Sequence, residues 1–150
     1  MRHAKAERVP GKSDFDRALV ERGRNEGDRV AADFAAAGVR PDRILCSSSR
    51  RTRETLALVL PHLAADCVAE LRRDLYDADA HDLWRAFNGT EGACVLVIGH
   101  NPAIHELAMS LAASDPEAPT FGGGFPTSNA ALFAISDESD KARFERLFTR

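Results

Sequence analysis

The sequence predicts an α/β protein, a three-layer α/β/α sandwich with a mostly parallel central sheet, formed by one domain over residues 1–150. Short apolar runs that suit strands alternate with segments of helical spacing, and this order builds parallel sheets covered by helices. The run Cys94 to Ile98 is apolar throughout, as expected of a strand buried on both faces. A chain of 150 residues without an internal repeat or a linker suits one domain.

The composition argues against several classes of protein. A net charge of −3 does not suit a general nucleic-acid-binding protein, because such proteins need a basic excess to displace counterions from phosphates. The 3 cysteines cannot all pair, and none has a Cys-x-x-Cys or zinc-binding spacing, which favours a reducing compartment. The first residues are charged, and the longest apolar runs are too short to cross a bilayer. We therefore expect a cytoplasmic protein that binds neither nucleic acid nor membrane.

The first half of the chain predicts a surface loop, two helices and one strand. Their expected positions are a loop at 6–16, a helix from about 19 to 37, a strand at 43–46 and a helix from 50 to about 60. Gly38 suits the end of the first helix, whose start at Val20 lacks a capping side chain. Ser47 to Ser49 can cap the second helix, and Pro61 bends or ends it.

The second half continues the alternation of strands and helices. The expected positions are a strand at 67–69, a charged loop at 71–79, a helix that carries 83–87, a strand at 94–98, a helix from 101, a loop at 114–124 and a strand at 129–135. Asp79 can cap the helix that follows it, and Asn101 before Pro102 is a helix-start signal. Residues 137–150 are ambiguous.

Arginine and histidine residues stand where predicted strands give way to helices. Arg2 and His3 open the chain, Arg51 follows the strand that ends at Cys46, and His100 follows the apolar run before it. In open α/β sheets, ligands bind beyond the carboxyl ends of the strands. The fold can therefore bring Arg2, His3, Arg51 and His100 together.

Five stretches, in this order, resemble the histidine phosphatase superfamily and, within it, the SixA-like phosphohistidine phosphatases. The matching stretches are Arg2 to Lys5, Asp16 to Leu19 with Gly23, Ser47 to Thr55, Val97 to Pro102, and Phe125 to Ala130. They span nearly the whole chain. The resemblance implies a phosphoglycerate mutase-like sandwich and a phosphatase activity that requires no metal and no cofactor.

The resemblance also implies a role for each site residue. His3 is the expected nucleophile, since a neutral imidazole can attack phosphorus and form a phosphohistidine intermediate that water then hydrolyses. Arg2 and Arg51 are expected to bind the phosphoryl oxygens, because a guanidinium group grips two oxygens at once. His100 is expected to donate hydrogen bonds as charge shifts in the transition state.

The proton donor for a leaving oxygen is the least defined part of this scheme. Many members of the superfamily carry Glu or Asp after the third core strand, and Asp77 is the best local match. A phosphorylated histidine has a better leaving group than an ester and depends less on such an acid. We therefore expect phosphohistidine in a protein as the substrate. The alternatives are a small phosphomonoester, or a phosphate- or phosphoprotein-binding module without turnover.

The start of the chain departs from the resembled pattern. In the superfamily an apolar strand precedes the Arg-His pair, whereas only Met1 precedes Arg2 here. We expect translation to begin upstream, because the loss of a central strand would expose two sheet edges and leave His3 loosely held. A chain without that strand would favour the binding module.

The remaining basic side chains have ordinary structural explanations. Arg50 and Arg53 are expected on a solvated helix face, with Glu54 as a partner. Three histidines are assigned to surface or core packing: His62, His81 and His105.

Overall fold

The structure, a computed structural model, describes residues 1–63, 66–136 and 141–150. The helices and strands in these ranges are α1 (Glu21–Ala36), β1 (Arg43–Ser47), α2 (Arg50–Val59), β2 (Val68–Arg72), α3 (Ala80–Asn88), β3 (Val95–Ile98), α4 (Ala103–Ala112), β4 (Ala130–Ile135) and β5 (Ala142–Phe148). The predicted α/β class is confirmed. None of the helices within the described ranges has the length and apolar character needed to cross a bilayer.

The strands form a parallel sheet and an antiparallel pair. β1 is the central strand of the parallel sheet, whose order is β2-β1-β3, and β4 pairs with β5. Since parallel strands run in one direction, the carboxyl ends of β1 and β3 reach the same edge of the sheet. Ser47 and Gly99 lie at that edge.

Two apolar cores lie on opposite faces of β1. Ile44 packs in a core with Val30 and Phe34 of α1, whereas Leu45 packs in a second core with Leu83 of α3. Successive residues of a strand point to opposite faces. Helices therefore cover both faces, as the predicted three-layer sandwich requires.

The structure corrects several local predictions and confirms one. β2 continues to Arg72, which was expected in a loop, because the pairing with β1 extends to the Ser47–Arg72 register. Ser49 does not cap α2, since its hydroxyl lies 2.8 Å from the Thr52 hydroxyl instead of a backbone N–H. The ambiguous segment contains a strand, β5, and its residues 137–140 lie outside the described ranges. Asp79 does cap α3, through a capping box.

The predicted burial of β3 on both faces is wrong for most of the strand. Only Ile98 is buried, and the other three residues are half-buried. A cavity of about 710 Å³ lies beside the strand, lined by β3 residues 95–97, β4 residues 131–135 and side chains of α3 and α4. It leaves the edge of β3 that faces away from β1 incompletely covered.

The first two residues connect the two sheets. The Met1 amino group donates to the Val97 carbonyl at 2.7 Å, and the Gly99 N–H donates to the Met1 carbonyl at 3.1 Å. The Arg2 N–H donates to the Asn129 carbonyl at 3.0 Å, just before β4. A short parallel bridge to Gly99 thus stands between β3 and β4 at the site edge.

Candidate active site

His3 is buried and its backbone is fixed on several sides. Its N–H donates to the Gly99 carbonyl, and its carbonyl accepts from the Ser128 N–H, both at 3.1 Å. The next N–H, of Ala4, donates to the Thr55 hydroxyl at 2.9 Å. The side chain is only 7% exposed. The backbone of His3 is therefore held firmly in this structure, with Met1 as the residue before Arg2.

A glycine in α1 allows the chain after His3 to pack closely. A Cβ atom at Gly23 would lie 2.1 Å from the Lys5 carbonyl oxygen, which no real side chain could tolerate. The Lys5 carbonyl instead accepts the Val20 N–H at 3.0 Å. The resembled motif included Gly23, and the structure gives the physical reason for it.

The hydrogen bond of the His3 ring fixes its tautomer. Nδ1 lies 2.7 Å from the Ala4 carbonyl oxygen, which can only accept, so Nδ1 carries the proton. The second nitrogen, Nε2, accepts a hydrogen bond from Arg51 Nε at 3.3 Å. Nε2 therefore keeps its lone pair, as a nucleophile must.

Arg51 and Arg2 bring positive charge to His3. Arg51 lies in the first turn of α2 and is 5% exposed, so its guanidinium group is held in a fixed position. Arg2 donates from Nη1 to the Phe125 carbonyl at 2.8 Å, while its buried Nε has no hydrogen-bond partner among the described residues. Burial, followed by nearby arginines, lowers the pKa of Arg2.

His100 faces His3 across the site. The centroids of the two rings are 5.2 Å apart, and His100 Nε2 lies 2.9 Å from the Ser47 hydroxyl. Its buried Nδ1 has no hydrogen-bond partner among the described residues. Ser47 lies in a stretch predicted from the resemblance, but it was expected to help cap α2 and not to contact His100.

Both site histidines are neutral at ordinary pH. Burial lowers the pKa of His3 to about 3, although the hydrogen bond to Ala4 opposes this effect. Burial lowers the pKa of His100 to about 4, with the Arg51 charge as the next cause. Neutral imidazoles between cationic groups can approach an anion and keep a lone pair available.

A carboxylate that the sequence reasoning missed binds the other end of Arg51. Asp14 Oδ2 lies 3.0 Å from Arg51 Nη2 and accepts from the Tyr76 hydroxyl at 2.6 Å. Asp14 Oδ1 accepts from Arg17 Nε at 2.9 Å. The Tyr76 hydrogen bond, ahead of the arginine charges, lowers the pKa of Asp14 to about 2. No local motif marks Asp14 and Tyr76 as neighbours, since they are far apart in sequence.

Two named regions describe this geometry. The site floor consists of Arg2, His3, Ser47, Arg51 and His100. The site mouth consists of Asp14, Phe15, Arg17, Arg73 and Tyr76. The possible acid Asp77 belongs to neither: it is exposed and makes no hydrogen bond or ion pair with the part of the chain that the structure describes.

The predicted structural histidines and arginines lie in other contacts. His62 pairs with Asp28, and His105 contacts the Phe121 carbonyl. Arg50 pairs with Glu54 on the surface, as expected.

One group of three metal-capable side chains occurs in the described ranges, Asp79, His81 and Asp82, at the start of α3. Asp79 and Asp82 form the capping box there, so their oxygens already have a structural role.

The parallel sheet, with two imidazoles and two guanidinium groups at its carboxyl edge, defines an α/β protein suited to binding a phosphoryl group. The family model of the histidine phosphatase superfamily (branch 1) matches residues 1–85. The chain belongs to this superfamily of phosphatases. The uncharacterized protein Rv1276c of Mycobacterium tuberculosis is 32% identical over 142 residues, which cover 91% of this chain and 87% of that protein.

Solved structures extend the similarity to the whole chain. The SixA protein of Agrobacterium tumefaciens has a TM-score of 0.88 and 28% identity, covering 100% of this chain and 95% of that one. The protein histidine phosphatase SixA in complex with tungstate has a TM-score of 0.79 and 28% identity, covering 99% and 94%. A mycobacterial glucosyl-3-phosphoglycerate phosphatase, at 17% identity and a TM-score of 0.67 over 99% and 96%, shares the fold. The predicted resemblance to SixA and the phosphoglycerate mutase-like fold are confirmed.

Proposed function

We propose that the protein is a metal-independent phosphohistidine phosphatase that uses His3 as its nucleophile. The observation that supports this most directly is the His3 tautomer: Nδ1 is bonded to the Ala4 carbonyl, and Nε2 points its lone pair towards Arg51. The similarity to SixA structures agrees with this proposal. Three free cysteines, one of them buried, are consistent with a reducing cytoplasm.

The proposed reaction proceeds in two steps. His3 Nε2 attacks phosphorus and a new N–P bond forms. The P–N bond of the substrate histidine breaks, and that ring, which already carries a proton on its other nitrogen, takes the electron pair and leaves as a neutral imidazole. Water then attacks the phosphoryl group on His3 and releases inorganic phosphate and the free imidazole. Arg2 and Arg51 bind the equatorial oxygens, and His100 donates a hydrogen bond to one of them. The positive charge of Arg2 and Arg51 fulfils the role that a metal has in other phosphoryl-transfer sites.

The acid chemistry of the site favours a substrate with a good leaving group. An alkoxide leaving from an ester needs a proton donor within hydrogen-bond reach. Asp14, a carboxyl that contacts Arg51 of the site floor, is ionised because its pKa is about 2. Asp77 is exposed and makes no hydrogen bond or ion pair with the described residues. Phosphohistidine depends least on such a donor, so a phosphorylated protein is the proposed partner.

A small phosphomonoester is the alternative substrate. One observation favours it: Asp77 directly follows Tyr76 of the site mouth, so a carboxyl lies in the same loop as a residue that borders the site. A module that binds phosphate without turnover is a further alternative, and kinetics separates all three.

The test measures hydrolysis of a phosphohistidine transfer domain and of glycerol 2-phosphate, an ester with an alkoxide leaving group, by the wild type and by Asp77→Asn. We expect turnover of the phosphohistidine protein that Asp77→Asn retains, with weak ester hydrolysis. Equal loss on both substrates in the variant would contradict the proposed substrate. A binding module would show no turnover above His3→Ala with either one.

A further inference from the structure

Asp14 binds a set of donors that would equally suit a phosphoryl group. Its Oδ1 accepts from Arg17, and its Oδ2 contacts Arg51 at 3.0 Å and the Tyr76 hydroxyl at 2.6 Å. Two guanidinium groups and a phenol form the type of arrangement that proteins use for phosphate. In this protein, the Asp14 carboxylate accepts these donors.

A single guanidinium group connects this carboxylate to the proposed nucleophile. Arg51 Nε lies 3.3 Å from His3 Nε2, while Nη2 of the same group lies 3.0 Å from Asp14 Oδ2. A phosphoryl group on His3 Nε2 would lie against the same Nε–Nη2 edge of Arg51. The Asp14 carboxylate and a phosphate oxygen therefore compete for one donor, and two negative charges come within a few ångströms of each other.

Contacts of the site mouth keep Asp14 in this position although its side chain is 58% exposed. The Phe15 and Tyr76 rings meet edge to face at 5.1 Å, and the Arg73 guanidinium group lies 4.4 Å from the Phe15 ring and 4.8 Å from the Tyr76 ring. The Arg51 Nη1 also donates to the Asp14 backbone carbonyl at 2.6 Å. The carboxylate is therefore a built part of the site mouth.

We propose that Asp14 determines specificity by opposing anionic ligands at Arg51, and so disfavours free phosphate and phosphoesters with an anionic leaving group. A phosphoryl group on an imidazole is favoured in comparison, because its leaving ring can carry a positive charge that the carboxylate attracts. The same effect speeds the release of inorganic phosphate after hydrolysis. The substrate part of this inference rests on the proposed function, whereas the competition with free phosphate does not.

The test is the affinity for inorganic phosphate, measured by calorimetry on the wild type, Asp14→Asn and Asp16→Asn. Asp16 lies in the same 3-10 turn and is exposed, so its variant matches the change in charge without the contact to Arg51. We expect Asp14→Asn to bind phosphate on the order of tenfold more tightly, as for one unit charge at short range in a partly exposed site. Asp16→Asn should bind like the wild type, and the gain should shrink at high salt.

An unchanged or weaker phosphate affinity in Asp14→Asn would overturn the inference, because a residue that only positions Arg51 would weaken binding when removed. A gain of equal size in Asp16→Asn would also overturn it, since net charge alone would then explain the effect. A second variant, Asp14→Ala, removes the carboxylate and its contacts together and should give a gain of the same sign.

Phosphate binding requires no turnover. If the proposed substrate is wrong, the phosphate measurement can therefore still support or contradict this inference. The ratio of phosphohistidine to p-nitrophenyl phosphate turnover then tests the substrate part alone, and it should fall in Asp14→Asn. An unchanged ratio would contradict that part.

Discussion

The site floor and the site mouth are held by different kinds of interaction. His3 is bound through backbone hydrogen bonds to Gly99 and Ser128, and Arg51 is buried at the start of α2. The site mouth is held by side chains that reach between two loops, such as the Asp14–Tyr76 hydrogen bond and the Arg73 stacking. The position of the site floor therefore depends on the sheet, whereas the position of the site mouth depends on side-chain contacts between two loops.

The largest expected effect is the loss of kcat/KM when the planar guanidinium group of Arg51 in the site floor is replaced. Arg51→Lys keeps the charge but loses the planar fork that contacts both His3 and Asp14. We expect kcat/KM to fall by about 10² to 10³. The matched control is Arg50→Lys, because Arg50 is exposed and pairs with Glu54 on the surface. Similar losses in both variants would show that the position of Arg51 is not special.

The second effect concerns the cost of burying neutral histidines in the site floor. The pKa values of His3 and His100 are lowered to about 3 and 4, so the unfolded chain binds more protons between pH 6.5 and pH 4. The free energy of unfolding should therefore fall as the pH falls through this window, by up to about 1.4 kcal/mol per pH unit for each histidine. Urea denaturation at pH 7, 6 and 5 measures this slope.

Two variants show whether the site causes the slope of the free energy of unfolding against pH. His100→Asn should reduce this slope, whereas His81→Ala, at an exposed position, should leave it unchanged. The Met1 amine, whose pKa burial lowers to about 5, adds a slope of the same sign between pH 8 and 5, so the difference between variants is the decisive quantity. The low pKa of Asp14 confines its own contribution to more acidic pH. Equal slopes in all variants would contradict the neutral state of His100.

The third effect separates orientation from binding within the site floor. The Ser47 hydroxyl lies 2.9 Å from His100 Nε2 and orients that ring. Ser47→Ala should lower kcat about tenfold with little change in KM, the effect expected from the loss of one hydrogen bond. Ser48→Ala is the control, since the Ser48 hydroxyl has no hydrogen-bond partner among the described residues. A change in KM alone would indicate that Ser47 acts on substrate binding instead.

The smallest expected effect concerns the support beneath the site floor. The cavity between β3 and β4 is lined by Met1, so an apolar extension added at this end has apolar surface to pack against. The extension Met-Val-Leu-Val, added before Met1, should raise the free energy of unfolding by at least about 1 kcal/mol more than the extension Met-Ser-Gly-Ser. Both extensions replace the buried amine with an amide, so only the apolar side chains differ. Equal stabilities would contradict this packing.

The sequence allowed a better prediction of the site floor than of the site mouth, and the reason is physical. Arg51 and His100 follow apolar strands, and the carboxyl ends of parallel strands must meet at one edge. Asp14 and Tyr76 lie in polar loops 62 residues apart in sequence, and no periodicity relates them. Their contact depends on how two loops fold over the sheet edge.

Strand boundaries show the same limit of local patterns. The charged end of β2 was predicted as a loop, because only pairing with β1 makes Leu71 and Arg72 part of a strand. The apolar run of β3 predicted full burial, but burial depends on the neighbour at its other edge. Local sequence indicates what an element prefers, whereas its partners decide its length and exposure.

The most direct test of the central proposal is to trap the phosphorylated enzyme. The wild type, His3→Ala and the exposed-histidine control His81→Ala are mixed with a radiolabelled phosphodonor and quenched in alkali. We expect acid-labile, alkali-stable label on the wild type and on His81→Ala, and none on His3→Ala. Label that persists on His3→Ala, or acid-stable label on the wild type, would contradict His3 as the nucleophile.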